Sequence, residues 1–140
     1  NETGTDRQKA WDLLNSVRTR AEATSITEAN YDEMMSARKK THNLTFIDDS
    51  TPEGKFRTAL YWERGFELAF EGQRKYVLIR WGVLGKALKL FGEISSVNQK
   101  ENKPYPAYRN FTEGKHELFP IPLKEIQSNP KLNGMNNNGY

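Results

Sequence analysis

The chain has 140 residues, of which 36% are hydrophobic and 28% are charged, and its formal net charge is +3. These proportions are typical of a globular protein with one modest core and exclude a largely disordered chain. The absence of cysteine excludes disulfides, zinc–thiolate sites and thiol catalysis within these residues.

The basic residues give no support to nucleic-acid binding. Lysines and arginines are spread among acidic residues along the whole chain and form no cluster. Recognition of nucleic acid normally depends on a concentrated basic surface. The sequence therefore predicts one globular domain, or part of one, without a nucleic-acid partner.

Two helices are predicted in the N-terminal part of the chain. Thr5-Asp6-Arg7-Gln8 has the form of a capping box, and the apolar spacing after it predicts a helix from about Asp6 to Ala21. Ser25 to Glu28 forms a second such box, and the residues that follow predict a helix of about Thr27 to Lys40.

A long central helix is predicted next from an amphipathic pattern. At 3.6 residues per turn, the apolar side chains of Tyr61 to Gly82 fall on one arc and the charged side chains on the opposite one. Ser50-Thr51-Pro52-Glu53 supplies a capping hydroxyl, a proline and an acid. The helix is therefore expected to begin near Pro52 and to extend to about Trp81.

Three residues within this predicted helix need a specific explanation. Gly65 and Gly72 each cost about 1 kcal/mol relative to alanine in a helix interior, so close approach by a neighbouring helix is expected there. Gln73 lies on the apolar arc. We therefore expect either a buried, hydrogen-bonded amide or a local break of the helix at Gly72-Gln73.

Glu67 and Glu71 are the residues of the polar face that could carry chemistry. They lie one helical turn apart, and carboxylates so placed can act as acid and base or bind a metal. Arg64, Arg74 and Lys75 lie three or four residues from them, which favours salt bridges along the helix. Neither histidine lies at Glu-x-x-His spacing from Glu67 or Glu71, as a di-metal helical site at these residues would require. We predict no catalytic residue, no metal site and no cofactor.

A shorter helix and a long loop follow the central helix. Val83 to Phe91 places its apolar residues on one face and predicts a helix bounded by glycines. From Glu93 to Asn110 the periodicity is lost, which predicts a long loop. Its aromatic residues Tyr105 and Tyr108 are the candidates for contact with a ligand, although rings that pin a loop to the core are commoner.

The C-terminal segment is predicted to be an extended strap. Pro120 and Pro122 disfavour a helix there, and the apolar residues around them suggest that the strap packs on the core. Leu123 to Gln127 predicts a short helix, and the tail from Leu132 to Tyr140 is rich in asparagine and glycine, which predicts no regular structure. His116 has no partner serine or metal cluster nearby in sequence, which favours a structural role.

Three separated segments of the chain resemble the C-terminal part of the SusD/RagB family of outer-membrane nutrient-binding lipoproteins. The segments are Val17-Arg18-Thr19-Arg20-Ala21, Glu63 to Arg74 continuing with Leu78-Ile79-Arg80-Trp81-Gly82, and Leu118-Phe119-Pro120-Ile121-Pro122 through Glu125-Ile126, Asn129-Pro130 and Gly139-Tyr140. Their order and spacing make the resemblance specific, and it covers most of these residues.

The sequence departs from the family pattern at four positions. They are Glu22 in place of glycine, Gly65 where a second arginine or another side chain is common, Val77 in place of aspartate, and Asn138 in place of proline. The missing aspartate would remove a partner of Arg74 or Arg80. The matched arginines and Trp81 are interpreted as structural residues, because none of the matched motifs is a ligand site in the family.

The resemblance implies a non-enzymatic protein on the outer surface of a Gram-negative bacterium, anchored by a lipid on an N-terminal cysteine. Members of the family have tetratricopeptide-like helix pairs, cap a SusC-like TonB-dependent transporter and pass it glycans or other nutrients. They are several times longer than this chain. Residues 1–140 are therefore expected to be a C-terminal portion, with the lipid anchor and most helical repeats in an N-terminal portion that is missing here.

The predicted fold is mainly α, with a long central helix, an extended C-terminal strap and little sheet. The expected function is non-catalytic binding of an oligosaccharide or polysaccharide at the cell surface. A helical scaffold that binds only protein is the first alternative, because amphipathic helices serve that role equally well. A hydrolase that uses Glu67 and Glu71 is the second alternative.

Overall fold

The computed structural model describes residues 4–41, 47–94 and 106–140. Within these ranges the chain is helical and contains no β-strand, which confirms the mainly α prediction. No helix among the described residues has both the length and the apolar character that crossing a membrane requires. The helices are α1 (Gly4–Arg20), α2 (Tyr31–Thr41), α3 (Pro52–Glu67), α4 (Arg74–Arg80), α5 (Leu84–Ile94), α6 (Pro106–Arg109) and α7 (Leu123–Ser128), followed by a 3-10 helix (Pro130–Leu132).

The chain divides into two compact units. The first unit comprises Asn1–Arg74 and the second comprises Lys75–Tyr140. Each unit is described separately below. The prediction that residues 1–140 are a portion of one domain stays a prediction.

The core of the first unit is built by α1, α2 and α3. Its fully or nearly fully buried residues are Trp11, Leu14, Ile26, Tyr31, Met35 and Ala59. The Trp11 ring meets the Phe56 ring edge to face with 5.1 Å between centroids, a favourable arrangement of two aromatic quadrupoles. The buried Tyr31 hydroxyl donates a hydrogen bond to the Asp49 carboxylate at 2.8 Å, so burial leaves this polar group satisfied.

The end of α1 is a Schellman motif centred on Glu22. The Ala23 N–H donates to the Arg18 carbonyl at 2.9 Å, and the Glu22 N–H donates to the Thr19 carbonyl at 3.0 Å. These two bonds satisfy carbonyls that the helix end leaves free, and they require a left-handed residue between them. Glu22 takes that conformation with φ of 55°. A non-glycine residue therefore occupies a position that favours glycine.

The second helix begins four residues later than predicted. Thr27 and Asn30 form a reciprocal pair in which each backbone N–H donates to the other side chain, at 2.7 and 3.3 Å. This pair closes a turn ahead of Tyr31, in the region where the Ser25 to Glu28 box was predicted to start a helix.

The central helix begins at Pro52 as predicted, but it does not extend to Trp81. The Thr51 hydroxyl accepts a hydrogen bond from the Gly54 N–H at 3.1 Å and caps α3. The helix ends at Glu67, residues 68–73 form turns, and α4 begins at Arg74. Two residues of the turns have positive φ, Phe70 with 65° and Gly72 with 71°.

This break corrects the prediction of one long helix, and it has a local cause. Left-handed residues cannot continue a right-handed helix, and glycine has a low helix propensity. Two outcomes were expected for Gln73. The buried amide is excluded because the side chain is exposed, and the local break is confirmed because Gln73 lies between the end of α3 and the start of α4. Gly65 faces the side chain of Arg74, the first residue of α4: a Cβ there would lie 3.4 Å from the guanidinium carbon, an ordinary van der Waals contact, so the close approach expected at this position does not require glycine.

The second unit is organised by α5 and the segments that pack against it. The buried residues Val77, Leu78, Val83 and Leu84 form its apolar interior. The predicted helix of Val83 to Phe91 is confirmed as α5, which extends to Ile94. The end of the predicted long loop is also helical, since Pro106–Arg109 forms the short helix α6.

The C-terminal strap differs from the prediction in how it is held. Residues 113–117 form turns and only residues 119–122 are extended. Leu118 and Phe119 are 47% and 61% exposed, so they do not pack into a core within this unit. The tail holds the strap through side chains instead: the Asn136 amide bonds both backbone groups of Ile121, at 2.7 and 3.4 Å, and the Asn137 amide donates to the Phe119 carbonyl.

Candidate functional site

The carboxylates of Glu67 and Glu71 do not form a paired site. Glu67 is the last residue of α3 and makes an ion pair with Arg20 of α1, while Glu71 lies in the turns after the helix and is exposed. The predicted salt bridges along one helix are wrong as well: Glu67 pairs with Arg20 rather than with Arg64 of its own helix, and α3 ends before Glu71. Arg74 donates to the Tyr61 carbonyl at 3.0 Å, and the Lys75 ammonium lies over the Phe119 ring at 4.3 Å.

A buried ion pair connects α1 and α3. Arg18 donates to the Glu63 carboxylate at 2.5 Å, and the two side chains are only 9% and 12% exposed. Arg18 also donates from Nε to the Thr24 carbonyl at 2.8 Å, so its guanidinium holds both α3 and the chain that leaves α1. The two residues belong to different matched segments of the sequence. Their pairing joins two segments that lie 45 residues apart in the chain.

A second arginine lies beside this pair. The Arg38 guanidinium of α2 lies over the Phe66 ring at 4.9 Å and over the Trp62 ring at 5.6 Å, which are cation–π distances. Burial lowers the pKa of Arg38 below its usual value, repulsion from Arg18 lowers it further, and attraction to Glu63 opposes both effects. The charged residues of α1, α2 and α3 thus join helices, as expected for structural residues.

The first unit contains a groove. It has a volume of about 330 Å³ and runs between α1 and α3. Apolar side chains dominate its walls, among them Leu13, which is 62% exposed, Phe56 and Leu60. Its shape and apolar character suit an apolar partner better than a polar ligand.

Tyr108 lies in the second unit, at the wall of a cavity that is lined by residues of α5 and α6. It belongs to α6, and its ring packs against α5 at Gly92, where a Cβ would lie 2.7 Å from Cδ1 of the ring. Phe111 packs in the same way at Gly85, again with 2.7 Å between a Cβ and the ring. Tyr105, the other candidate from the sequence, lies outside the described residues.

We call this second space the α5–α6 cavity, and its volume is about 380 Å³. Its lining combines two aromatic rings with two lysines and two glutamates, together with small and aliphatic residues of α4 and α5. The lining residues are Ile79, Gly82, Leu84, Gly85, Lys86, Lys89, Tyr108, Phe111, Glu113 and Glu117.

Glu117 is the unusual residue of the α5–α6 cavity. Its Oε2 is buried and has no hydrogen-bond partner among the residues that the structure describes. A buried acceptor without a donor costs about 1–3 kcal/mol, so such an atom is expected to be satisfied when the cavity is occupied.

His116 has a structural role beside the cavity, as predicted. Its Nδ1 accepts a hydrogen bond from the Thr112 N–H at 2.7 Å. Its ring lies 6.0 Å from the Phe111 ring and 6.5 Å from the Tyr140 ring. The histidine therefore fixes the turn that places Phe111 at the cavity wall.

Sequence reasoning identified Tyr108 but missed Phe111 and Glu117 as cavity residues. Gly85 and Gly92 are the signal that could have found the site. They are seven residues apart, which puts both on one face of a helix. Two missing side chains on one face leave room for rings from another segment. Among the described residues, no group of three or more His, Asp or Glu side chains is placed so that it could hold a metal ion.

Comparison with known proteins gives one family and one relative. The family model described as "SusD family" matches residues 1–140. The "SusD-like protein P25" of Formosa agariphila is 39% identical over 87 residues, which are 61% of this chain and 15% of that protein. The matched part thus spans a small fraction of the relative's length. Among solved structures there is no significant match.

Proposed function

The chain belongs to the SusD family, and from this membership we propose that its protein captures glycans or other nutrients at the cell surface and delivers them to a SusC-like TonB-dependent transporter. The family match over residues 1–140 is the observation that carries the proposal. In this function the protein binds its ligand without chemical change. It is held at the outer membrane by a lipid anchor.

The charged residues of the first unit support binding without catalysis. Glu63 and Glu67 both form ion pairs with arginines of α1. A general acid or base needs a carboxylate that can reach a substrate and that titrates near the working pH. Carboxylates that neutralise arginines between helices are poorly suited to that work, which argues against the hydrolase alternative.

The apolar groove between α1 and α3 supports the alternative of a protein-binding scaffold. A groove lined by aliphatic and aromatic residues is the kind of surface into which an amphipathic helix packs. In the main proposal, the same groove serves contacts within the complete protein or with the transporter. Both functions therefore include binding to a protein, and only the main proposal includes binding to a glycan.

Two measurements on the full-length protein separate these functions. The tagged protein is purified from detergent-solubilised outer membranes of its native bacterium, and co-purification of a TonB-dependent β-barrel transporter is expected. Calorimetric titration with the oligosaccharides on which the bacterium grows is expected to show binding. Co-purification without binding of any glycan would favour the scaffold. Release of shorter sugars from the same oligosaccharides would refute the non-catalytic function.

A further inference from the structure

We propose that the α5–α6 cavity binds an uncharged sugar ring of the nutrient glycan, with Tyr108 and Phe111 as the stacking surface and Glu117 as the acceptor of a sugar hydroxyl. This inference rests on the proposed function and adds to it a place on the chain and a class of ligand. Aromatic side chains provide the apolar faces on which the C–H groups of a sugar stack, and a few polar groups fix its orientation.

The two rings are held in place before any ligand arrives. Each packs against a glycine of α5, and a Cβ at either glycine would lie 2.7 Å from the ring. The Phe111 ring is also flanked by His116, whose own position is fixed by the Thr112 N–H. Rings that are already ordered lose little conformational entropy on binding, which favours a weakly interacting ligand such as a sugar.

Glu117 is the polar residue that orients the sugar in the cavity. It lines the cavity, and its buried Oε2 lacks a donor among the described residues. A ligand that donates a hydrogen bond to this oxygen removes an existing cost in addition to forming a new bond. Sugar hydroxyls are donors of this kind. A carboxylate or sulfate group placed there would instead meet the negative charge of the glutamate.

The charges around the cavity favour a ligand without net charge. Lys86 and Lys89 contribute two positive charges, and Glu113 and Glu117 contribute two negative charges, so the lining is formally neutral. Lys89 also lies 4.0 Å from the Glu93 carboxylate, which offsets its charge further. A strongly anionic glycan would need an excess of cationic side chains, which this lining does not provide.

The size of the cavity suits a short part of a glycan. Its volume of about 380 Å³ lies at the lower end of the range of roughly 300–1,000 Å³ for small-molecule sites. The cavity is therefore expected to hold a terminal or single internal ring, while the rest of the glycan lies outside it.

The test uses the full-length protein and a defined set of probes. Neutral hexasaccharides of glucose, mannose, galactose and xylose are compared by calorimetry with hexagalacturonate and with a sulfated galactan oligosaccharide. The variants Tyr108→Ala and Glu117→Gln address the rings and the acceptor. Tyr76→Ala is the matched control, because Tyr76 is an exposed tyrosine of the same unit and does not line the cavity. Circular dichroism and thermal unfolding verify that each variant is folded.

We expect at least one neutral hexasaccharide to bind the wild-type protein. Tyr108→Ala should weaken this binding about five- to tenfold through loss of stacking, and Glu117→Gln should weaken it at least about fivefold through loss of the charged acceptor. Tyr76→Ala should leave the affinity unchanged. Raising NaCl from 50 to 500 mM should also leave it unchanged, since an uncharged ligand releases no counterions.

The outcomes separate this inference from the proposed function. If folded Tyr108→Ala and Glu117→Gln proteins bind the glycan as tightly as the wild type, the cavity is not the site, whereas the proposed function still holds. Preferential binding of hexagalacturonate or sulfated galactan that weakens with salt would overturn the assignment of an uncharged sugar. Absence of binding to every probe overturns the inference, and co-purification of the transporter then decides the proposed function by itself.

Discussion

Replacing Glu22 by glycine should stabilise the first unit. Glu22 is the left-handed residue of the Schellman motif that ends α1, and its φ is 55°. The side chain is exposed and makes no hydrogen bond or ion pair with the described part of the chain. Its removal therefore changes the backbone energy and one surface charge, and little else.

The expected gain follows from two opposing effects on the backbone. An L-residue in the left-handed region costs roughly 1–2 kcal/mol, which glycine does not incur. Glycine also gives the unfolded chain more freedom, which costs roughly 0.4–1 kcal/mol in stability. The central values of these two effects, about 1.5 and about 0.7 kcal/mol, give a net gain from the backbone of about 0.8 kcal/mol. Loss of a negative charge at the negative end of the α1 dipole adds a few tenths of a kcal/mol.

Glu22→Ala is the matched control, because it removes the same charge but keeps a Cβ in the left-handed conformation. Urea unfolding followed by circular dichroism measures the free energy of unfolding of both variants. We expect Glu22→Gly to be about 0.5–1 kcal/mol more stable than Glu22→Ala. Equal stability of the two variants, or a less stable glycine variant, would refute the argument that Glu22 is strained.

Three further predictions concern contacts described above. Arg18→Met should lower the free energy of unfolding by about 3–5 kcal/mol, since it leaves Glu63 buried without its partner. The double variant Arg18→Met/Glu63→Leu should recover much of this loss. A loss below about 1 kcal/mol in the single variant would contradict a buried ion pair. Gly92→Ala should cost about 1–3 kcal/mol in urea unfolding, because its Cβ would overlap the tyrosine ring of α6; a neutral effect would mean that the ring is not packed there. Asn136→Ala should cost about 1–2 kcal/mol and accelerate hydrogen exchange at the Ile121 amide, and unchanged exchange would contradict the bond between them.

The positions of the helices could be predicted because their signals are local. The cap at Thr51, the proline after it and the apolar spacing that follows place the start of α3 at Pro52, where the structure has it. The end of α3 was missed because the amphipathic pattern continues through residues 68–73. Periodicity reports where apolar side chains fall if a helix forms, but it does not report the positive φ of Phe70 and Gly72 that ends the helix.

The pairing of charges could not be predicted from spacing along the chain. Glu67 has Arg64 one turn away in sequence, yet its partner is Arg20 of another helix, and Glu63 pairs with Arg18 of that same helix. Which arginine pairs with each glutamate depends on how the helices pack against each other, and this packing brings together residues more than 40 positions apart. Tyr108 was singled out because it lies on a predicted long loop, whereas Glu117 required coordinates to show a buried oxygen without a donor.

The hold of Asn136 on Ile121 has a consequence for the behaviour of the protein at high concentration. An extended segment with free backbone groups offers a template on which another chain can add a strand and begin to aggregate. One asparagine amide presents a donor and an acceptor together, so it occupies both backbone groups of Ile121 as a neighbouring strand would. The tail thus shields the strap from self-association, at a point where no β-sheet is present to do so in the described residues.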